Sequence, residues 1–239
     1  MEFYFIRHGQ SENNLLYDTT GASNGRRDDP ELTVTGERQA ARLAQYLSRA
    51  DSVSTNQHPD RLNLATFGIT HLYTSLMVRA IATGTVVARA LNVPLVAWQD
   101  LHETGGIFNE DPQTGVRTGQ PGKNRAELAA RYPDLVLPVS LGAGGWWNRP
   151  FEEREQRPAR AERFVRELLE RHGGKQDRVA VISHGGFYNV LLRTIFKIER
   201  TECWFGLNNA SITRLDFDGE NVLLVYMNRV DYLPKELVT

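Results

Sequence analysis

Short apolar runs alternate with helix-period patterns along most of the chain. The runs expected to form buried strands are residues 3–6, 70–74 and 178–183, the last reading RVAVIS. Apolar positions spaced three and four residues apart predict helices at residues 35–47, 78–91, 160–172 and 186–196. Thr35 is the expected N-cap of the first helix. This alternation predicts an α/β protein with helices on both faces of a mainly parallel sheet.

The last apolar segment predicts a different local arrangement. The stretch SITRLDFDGENVLLVYM contains two strand-like runs joined through Asp218-Gly219, which is a hairpin signal. A hairpin here would give the sheet an antiparallel edge. We therefore predict a three-layer α/β/α sandwich with a mainly parallel central sheet, an antiparallel edge strand and long active-site insertions.

Two stretches interrupt the alternation, at residues 17–29 and 108–150. Both are rich in Gly, Pro, Asn and Asp, and loops this long are usually functional or disordered. The second carries GAGGWWNRP, in which Trp146 and Trp147 either form a lid or substrate wall or plug the space under a long loop. We expect residues 1–239 to form one domain, with residues 108–150 as its lid or specificity region.

Composition narrows the class of protein. The 239 residues are 41% hydrophobic and 24% charged, as in ordinary globular proteins. A net charge of -1 offers no electrostatic footprint for nucleic acid or an anionic membrane. No apolar run reaches the roughly 18 residues of a membrane span, and the N-terminus does not look like a signal peptide. The one cysteine, Cys203, excludes an internal disulfide and favours a cytoplasmic location. Nothing indicates the oligomeric state.

Polar side chains follow several of the predicted strands at the point where each strand ends. Arg7 and His8 follow the first strand, and His184 follows residues 178–183. Arg79 lies near the start of the helix after the second strand, and Glu103 follows the apolar stretch VPLVAW. Since the carboxyl ends of parallel strands meet at one edge of a sheet, these five side chains should converge in a ligand-binding crevice.

Four motifs at these positions resemble the histidine phosphatase superfamily, which includes the cofactor-dependent phosphoglycerate mutases. They are RHGQSENN, TSLMVRAIATG, LHE and SHGG, in that order, and the later NNASIT resembles the closing strand of the family. The resemblance implies that His8 is phosphorylated covalently, that the phosphate is held by Arg7, Arg79 and His184, and that Glu103 supplies a proton. It further implies that Asn14 and Gly185 contact phosphate. Gly21, in TTGA, matches a substrate-loop glycine loosely.

The chemistry of phosphate monoesters explains these residue types. Their hydrolysis needs up to ~10²¹-fold acceleration. Arginine forks neutralise and orient the phosphate oxygens. A neutral imidazole can approach the dianion and accept the phosphoryl group, splitting one displacement into two. The leaving alkoxide then needs a proton, which suits Glu103 in its acid form. Because the cations are supplied by side chains, we expect no metal and no cofactor, only a small phosphorylated substrate.

Motifs of other enzyme classes fail at single positions. Val181 replaces the first glycine of a nucleophile elbow, and Asn124 replaces the Ser or Thr of a P-loop. Asn209 stands six positions after Cys203, where a cysteine phosphatase has arginine, and Gly106 spoils a zinc-binding H-E-x-x-H. The histidines with no partner suggested by the sequence are expected to be structural; these are His58, His71, His102 and His172.

Within the family, the segment after Glu103 favours a phosphatase. Mutases usually follow the catalytic Glu with Arg and then Tyr-Gly, whereas this chain reads HETGGIFNE. We therefore predict a phosphomonoesterase. Two alternatives stay open, namely a mutase that passes the phosphoryl group back to a bound intermediate, and a module that binds a phosphorylated ligand without turnover.

Overall fold

The computed structural model describes residues 1–50, 60–200, 202–219 and 221–239. One histidine predicted to be structural, His58, lies outside these residues. In the described part of the chain, no helix is both long enough and apolar enough to cross a membrane.

A seven-stranded sheet forms the centre of the fold. Its strands are β1 (Glu2–Arg7), β2 (His71–Thr74), β3 (Leu95–Ala97), β6 (Leu135–Val136), β7 (Arg178–Ser183), β8 (Ile212–Asp218) and β9 (Asn221–Arg229). They lie in the order β6-β3-β2-β7-β1-β8-β9, and the first five are parallel. The final hairpin, β8 and β9, is antiparallel and closes one edge. The predicted mainly parallel sheet with an antiparallel edge is confirmed.

Helices cover both faces because the strands are apolar on both sides. The helices are α1 (Glu12–Thr20), α2 (Val34–Ser48), α3 (Val78–Leu91), α4 (Arg125–Arg131), α5 (Arg157–His172) and α6 (Gly185–Phe196). Tyr4 and Ile6 of β1 share a core cluster with α2 and α3. Phe3 and Phe5 point the other way, into a cluster with α5 and α6. Alternate residues of one buried strand therefore serve two cores, which gives the predicted three layers.

Two predictions about the start of the chain were wrong. The stretch predicted to be a loop from residue 17 begins with the second half of α1, which Ser11 and Asn14 cap by exchanging side-chain and backbone hydrogen bonds. The helix has no buried residue, so it lacks the apolar periodicity that would have predicted it. The N-cap of α2 is Thr33 rather than Thr35, because the Thr33 hydroxyl accepts from the Gly36 N–H at 3.0 Å.

The stretch of residues 108–150 contains regular structure. A two-stranded ribbon pairs β4 (Phe108–Glu110) with β5 (Arg117–Gly119). After α4, the short strand β6 pairs in parallel with β3 and becomes an edge of the central sheet. Part of this stretch therefore belongs to the three-layer body, while the ribbon is a separate sheet.

Candidate active site

Two imidazoles meet where β1 and β7 end side by side. The strands pair in parallel up to Arg7 and Ser183, and the His8 N–H donates to the Ser183 carbonyl at 3.0 Å. The next residue on each strand is a histidine, so the rings of His8 and His184 lie 4.9 Å apart between centroids. Both side chains are buried. The predicted convergence at one edge is present for this pair.

Hydrogen bonding selects one tautomer of His8. The ring atom Nδ1 lies 2.6 Å from the Gly9 carbonyl, which only accepts, so Nδ1 carries the proton. The other nitrogen, Nε2, accepts from Arg79 Nε–H at 3.2 Å. Burial lowers the pKa of His8 well below its usual value, and the charges of Arg79 and Arg7 lower it further. His8 is therefore neutral, with its lone pair on the nitrogen that faces Arg79.

The glycine after His8 allows a close approach between backbones. A Cβ on Gly9 would lie 2.5 Å from the carbonyl oxygen of Gly36, in the first turn of α2. The Gly9 N–H donates to the Thr83 hydroxyl of α3 at 3.1 Å. The loop that carries His8 is thus held against two helices, which orients the imidazole.

His184 has no hydrogen-bond partner for either ring nitrogen among the described residues, although its side chain is fully buried. It occupies the N-cap position of α6. Burial lowers its pKa well below the usual value, followed by the charges of Arg79 and His8. Because buried polar atoms are rarely left unpaired, this ring is suited to a ligand oxygen. Gly185 begins α6, and a Cβ built there would lie 3.7 Å from Arg7 Nε.

The guanidinium groups of Arg7 and Arg79 lie next to the two histidines, Arg79 against His8 and Arg7 against Gly185. Arg7 donates through Nη1 to the Leu207 carbonyl, and its buried Nε has no partner among the described residues. Arg79 pairs with Asp29, whose Oδ1 lies 3.7 Å from Nη1. The same Asp29 oxygen accepts from the Val78 N–H at 3.0 Å, which replaces the side-chain cap that α3 lacks. Burial raises the pKa of Asp29 to about 6.

Glu103 binds the N-terminus of the helix that follows His184. Its Oε1 accepts from the Phe187 N–H at 2.9 Å and from the Thr104 N–H at 2.7 Å, and its Oε2 accepts from the Gly186 N–H at 3.1 Å. Ser183 holds the preceding segment, because its hydroxyl donates to the Leu101 carbonyl at 2.7 Å. The carboxylate is thereby placed at the N-terminus of α6, whose N-cap residue is His184, and at the positive end of the helix dipole.

Asn14 is connected to the loop of His8 through Asn209, which was not among the predicted site residues. Its Oδ1 accepts from the Ser11 N–H at 3.0 Å and from Asn209 Nδ2 at 3.2 Å. The same Asn209 amide donates to the His8 carbonyl at 3.1 Å. Asn209 lies within the motif NNASIT, which was the available signal for it. It connects Asn14 to the loop of His8.

An open cavity of about 530 Å³ lies over these groups. The predicted residues that line it are Arg7, Asn14, Arg79, Glu103 and Gly185. Further lining residues are Arg26, Asp28, Thr104, Phe108 and Trp204. His8 and His184 do not line the cavity themselves, and His8 reaches it through its hydrogen bond to Arg79. The sequence did not predict a role for these further lining residues, which only lie near a motif or in a loop.

Three of the predicted site residues lie elsewhere. Trp146 and Trp147 are 3% and 4% exposed and belong to the core cluster on the α2 and α3 side. The ring of Trp147 lies 4.7 Å from that of His102 and so close to Gly106 that a Cβ there would collide with it. Of the two interpretations of these tryptophans, the hydrophobic plug describes this packing. Gly21 ends α1 in the left-handed conformation, with φ of 67°, and is exposed.

A family model and two sets of similar proteins match this chain. The model is the histidine phosphatase superfamily (branch 1), which matches residues 3–55 and 60–230. A protein of Hydrogenobacter thermophilus assigned as phosphoserine phosphatase 2 is 24% identical and covers 95% of each chain. A Klebsiella pneumoniae protein assigned as the phosphoglycerate mutase GpmB is 25% identical, over 91% of this chain and 85% of its own.

Solved structures share the fold at lower identity. The phosphoserine phosphatase of Entamoeba histolytica, in complex with 3-phosphoglyceric acid, has a TM-score of 0.60 and 19% identity, covering 98% of this chain and 99% of its own. A mycobacterial glucosyl-3-phosphoglycerate phosphatase with VO3 has a TM-score of 0.58 and 20% identity, covering 96% and 99%.

The chain belongs to the histidine phosphatase superfamily, because the family model matches nearly its whole length. This confirms the resemblance that the four motifs indicated. Together with the relatives just described, it makes the protein a phosphatase or mutase-like enzyme.

Proposed function

We propose that this protein is a metal-independent phosphomonoesterase that acts on a small phosphorylated metabolite through a phosphohistidine on His8. The observation that carries the proposal is that Arg7, Arg79 and Glu103 line one cavity, while two neutral imidazoles lie behind it, with His8 hydrogen-bonded to Arg79. Each member matches a requirement of phosphoryl transfer. The arginines neutralise the phosphate, a lone pair attacks it, and the carboxyl group handles the proton.

The first step forms a bond from His8 Nε2 to phosphorus while the ester oxygen departs with the bonding electrons. Nε2 is the correct atom because Nδ1 holds the proton against Gly9. In the structure Nε2 accepts from Arg79 Nε–H at 3.2 Å, so the lone pair is engaged before substrate binds. We infer that the incoming phosphate takes over the Arg79 donor and thereby frees the nucleophile.

Glu103 protonates the departing alkoxide in this first step. In the second step the Glu103 carboxylate takes a proton from water, the water oxygen bonds to phosphorus, and the His8 nitrogen–phosphorus bond breaks. The enzyme returns to neutral His8 and protonated Glu103, and inorganic phosphate leaves. No external cation enters the sequence of events, so we expect full activity after dialysis against EDTA.

The phosphate oxygens are held by groups that have unused hydrogen-bonding atoms. Arg7 Nε and both ring nitrogens of His184 are buried and have no partner among the described residues. A phosphate that reaches them would accept from Arg7 Nε–H and from the one N–H of the neutral His184 ring. Gly185 and Asn14 border the same cavity, and we assign them to phosphate binding as well. A phosphorylated ligand therefore fits the unpaired atoms of this site.

The choice of hydrolysis over mutase chemistry rests on the segment after Glu103 and on an open cavity that admits water. Thr104 stands where the mutases of the family carry Arg, and Gly106 and Ile107 stand where they carry Tyr-Gly. The discriminating experiment compares hydrolysis of p-nitrophenyl phosphate with conversion of 3-phosphoglycerate in the presence of its bisphosphate primer. We expect hydrolysis to dominate, and strong mutase flux with negligible hydrolysis would contradict the proposal.

The nature of the cavity wall guides the search for a substrate. Arg26 lines the cavity, lies 3.9 Å over the ring of Phe108, and is close enough to Arg79 for their charges to repel. Similar proteins are named for phosphoserine and glucosyl-3-phosphoglycerate, which are phosphate esters that also bear a carboxylate. We propose that such small anionic esters are substrates and that Phe108 of the 108–150 stretch contributes to specificity. A screen of phosphorylated metabolites tests this, and a clear preference for uncharged leaving groups would contradict it.

The alternative of a binding module without turnover is tested at His8. His8→Ala should abolish turnover while retaining phosphate or vanadate binding, since Arg7, Arg79 and His184 remain. The control is the wild-type chain measured with the same vanadate titration. An unchanged rate in His8→Ala would contradict the assigned nucleophile, and a wild-type chain that binds vanadate but hydrolyses no ester would support the module instead.

A further inference from the structure

A second cluster of metal-binding side chains lies at the opposite edge of the sheet. His71 begins β2, Asp177 directly precedes β7, and His172 ends α5. One donor atom from each of these residues lies within 4.8 Å of the other two. The candidate active site occupies the carboxyl ends of the same strands. The new cluster is therefore separate from the phosphate site.

His71 can adopt the tautomer that binds a metal through Nε2. The Thr70 hydroxyl accepts from the Arg178 N–H at 3.0 Å and lies 3.2 Å from the Arg178 carbonyl, to which it can donate. When the hydroxyl donates there, Thr70 Oγ1 accepts from His71 Nδ1, which lies 2.9 Å away. This arrangement leaves the lone pair of His71 on Nε2. Such an outer hydrogen bond is what normally orients a ligating histidine.

His172 and Asp177 form a hydrogen-bonded pair in which a metal ion can replace the shared proton. His172 Nδ1 lies 2.8 Å from Asp177 Oδ2, and its Nε2 lies 2.9 Å from the Tyr73 hydroxyl. A carboxylate only accepts, so Nδ1 now donates to it. When a metal ion replaces that proton, the proton can reside on Nε2 instead, because the Tyr73 hydroxyl can accept as well as donate. His172 stays neutral in both states.

We propose that His71, His172 and Asp177 bind a divalent transition-metal ion, with Zn²⁺ as the first candidate and water as a fourth ligand. Two nitrogen donors and one carboxylate are a ligand set that Zn²⁺ accepts. Bonds of about 2.0–2.2 Å place two ligands of a tetrahedral ion roughly 3.3 Å apart. Since the three donor atoms lie within 4.8 Å of one another, binding an ion requires relative shifts of up to about 1.5 Å.

The site is accessible to an ion from solvent. Asp177 lines a surface depression of about 310 Å³ together with Thr70, and its side chain is 22% exposed. The positive groups that oppose cation binding include the exposed Lys175, Arg178 in the same depression, and Arg171 beside Tyr73. Bound metal would join the starts of β2 and β7 to the end of α5. We therefore expect the ion to stabilise the fold rather than to take part in phosphoryl transfer.

The test is a calorimetric titration of the full chain with ZnCl₂ after treatment with EDTA and desalting. We expect one equivalent of Zn²⁺ to bind. Removing a ligand in His71→Ala or Asp177→Asn should weaken binding by at least about 100-fold, since even outer-shell changes cost roughly 10–100-fold. Zn²⁺ at about 100 times its dissociation constant should raise the Tm of the wild type by roughly 5–10 °C.

A matched control separates this cluster from the catalytic histidines. His8→Ala removes a histidine of the candidate active site and should keep both the Zn²⁺ binding and the rise in Tm. Asp177→Asn preserves an oxygen that can accept from His172 Nδ1, so it remains informative if His71→Ala does not fold. Absence of binding to the wild type, equal binding by both ligand variants, or loss of binding in His8→Ala would overturn the proposal. None of these readouts depends on phosphatase activity.

Discussion

Replacing Glu103 by Gln separates the proton-transfer role of this residue from its structural role. The carboxylate accepts from the N–H groups of Thr104, Gly186 and Phe187 at 2.7, 3.1 and 2.9 Å. A Gln side chain has one oxygen, so its NH₂ group must face at least one of these donors. Glu103→Gln therefore perturbs the helix that begins beside His184 and also removes the acid.

The structural cost can be worked from these contacts. Loss of a side-chain cap costs about 0.5–2 kcal/mol, which corresponds to a fall in Tm of roughly 2–6 °C. This cost is the same for every substrate, because it concerns the free enzyme.

The catalytic cost depends on the leaving group. General acid catalysis contributes about 10²–10⁴-fold when the leaving group is a poor one, such as a sugar alkoxide. Nitrophenolate departs without a proton, so Glu103→Gln should reduce kcat/KM for p-nitrophenyl phosphate much less. The measurement is kcat/KM on both esters, because this parameter reports only the transfer to His8. It excludes the later hydrolysis, in which Glu103 acts as base for both substrates.

The comparison of the two esters decides the role of Glu103. We expect the ratio of kcat/KM values, alkyl ester over nitrophenyl ester, to fall by at least about 100-fold. A Thr104→Val variant, which removes a hydroxyl that donates to Glu103 at 3.3 Å, is the control and should leave this ratio unchanged. Equal losses on the two esters in Glu103→Gln would refute Glu103 as the acid.

Three further changes test other parts of the account. The pKa of Asp29 is raised from 3.8 to about 6 in the fold, so the free energy of unfolding should fall as pH rises from about 4, by a total of about 3 kcal/mol above pH 6. In urea unfolding from pH 4 to 8, Asp29→Asn should lack this fall, and the same pH dependence in variant and wild type would contradict the prediction. Arg79→Lys loses a charged hydrogen bond to phosphate and should lower kcat/KM roughly 10–150-fold, whereas Arg89→Lys, exposed on the same helix, should match the wild type. Trp147→Ala should cost about 3–5 kcal/mol in urea unfolding and leave the order of preferred substrates unchanged; a changed order without lost stability would restore a role in specificity.

The positions of the residues that follow β1 and β7 were predictable from the sequence, because they depend on the local apolar pattern and on the topology of the sheet. An apolar run followed by Arg7 and His8, and another followed by His184, place these residues at one edge once the strands are parallel. That reasoning needs no side-chain detail. It therefore succeeded for the pair of histidines, whose rings lie 4.9 Å apart.

Other parts of the site depend on contacts between distant segments that no local pattern encodes. Asp29 replaces the missing cap of α3 from 49 residues away, and Asn209 reaches both Asn14 and the His8 carbonyl. The direction in which Trp147 points also depends on packing, here against His102 and Gly106. The motif NNASIT was a signal for Asn209, but its contacts, like the role of Asp29 and the direction of Trp147, become visible only when the chain is folded.

Trapping the phosphorylated enzyme tests the central claim most directly. Glu103→Gln should accumulate the intermediate from p-nitrophenyl phosphate, because transfer to His8 proceeds while the base for its hydrolysis is missing. After an alkaline quench, which preserves phosphohistidine, peptide mass spectrometry should find one phosphoryl group on His8 and none in the Glu103→Gln, His8→Ala double variant. A phosphoryl group on His184 or another residue, or a burst of nitrophenol with no adduct on His8, would contradict the account.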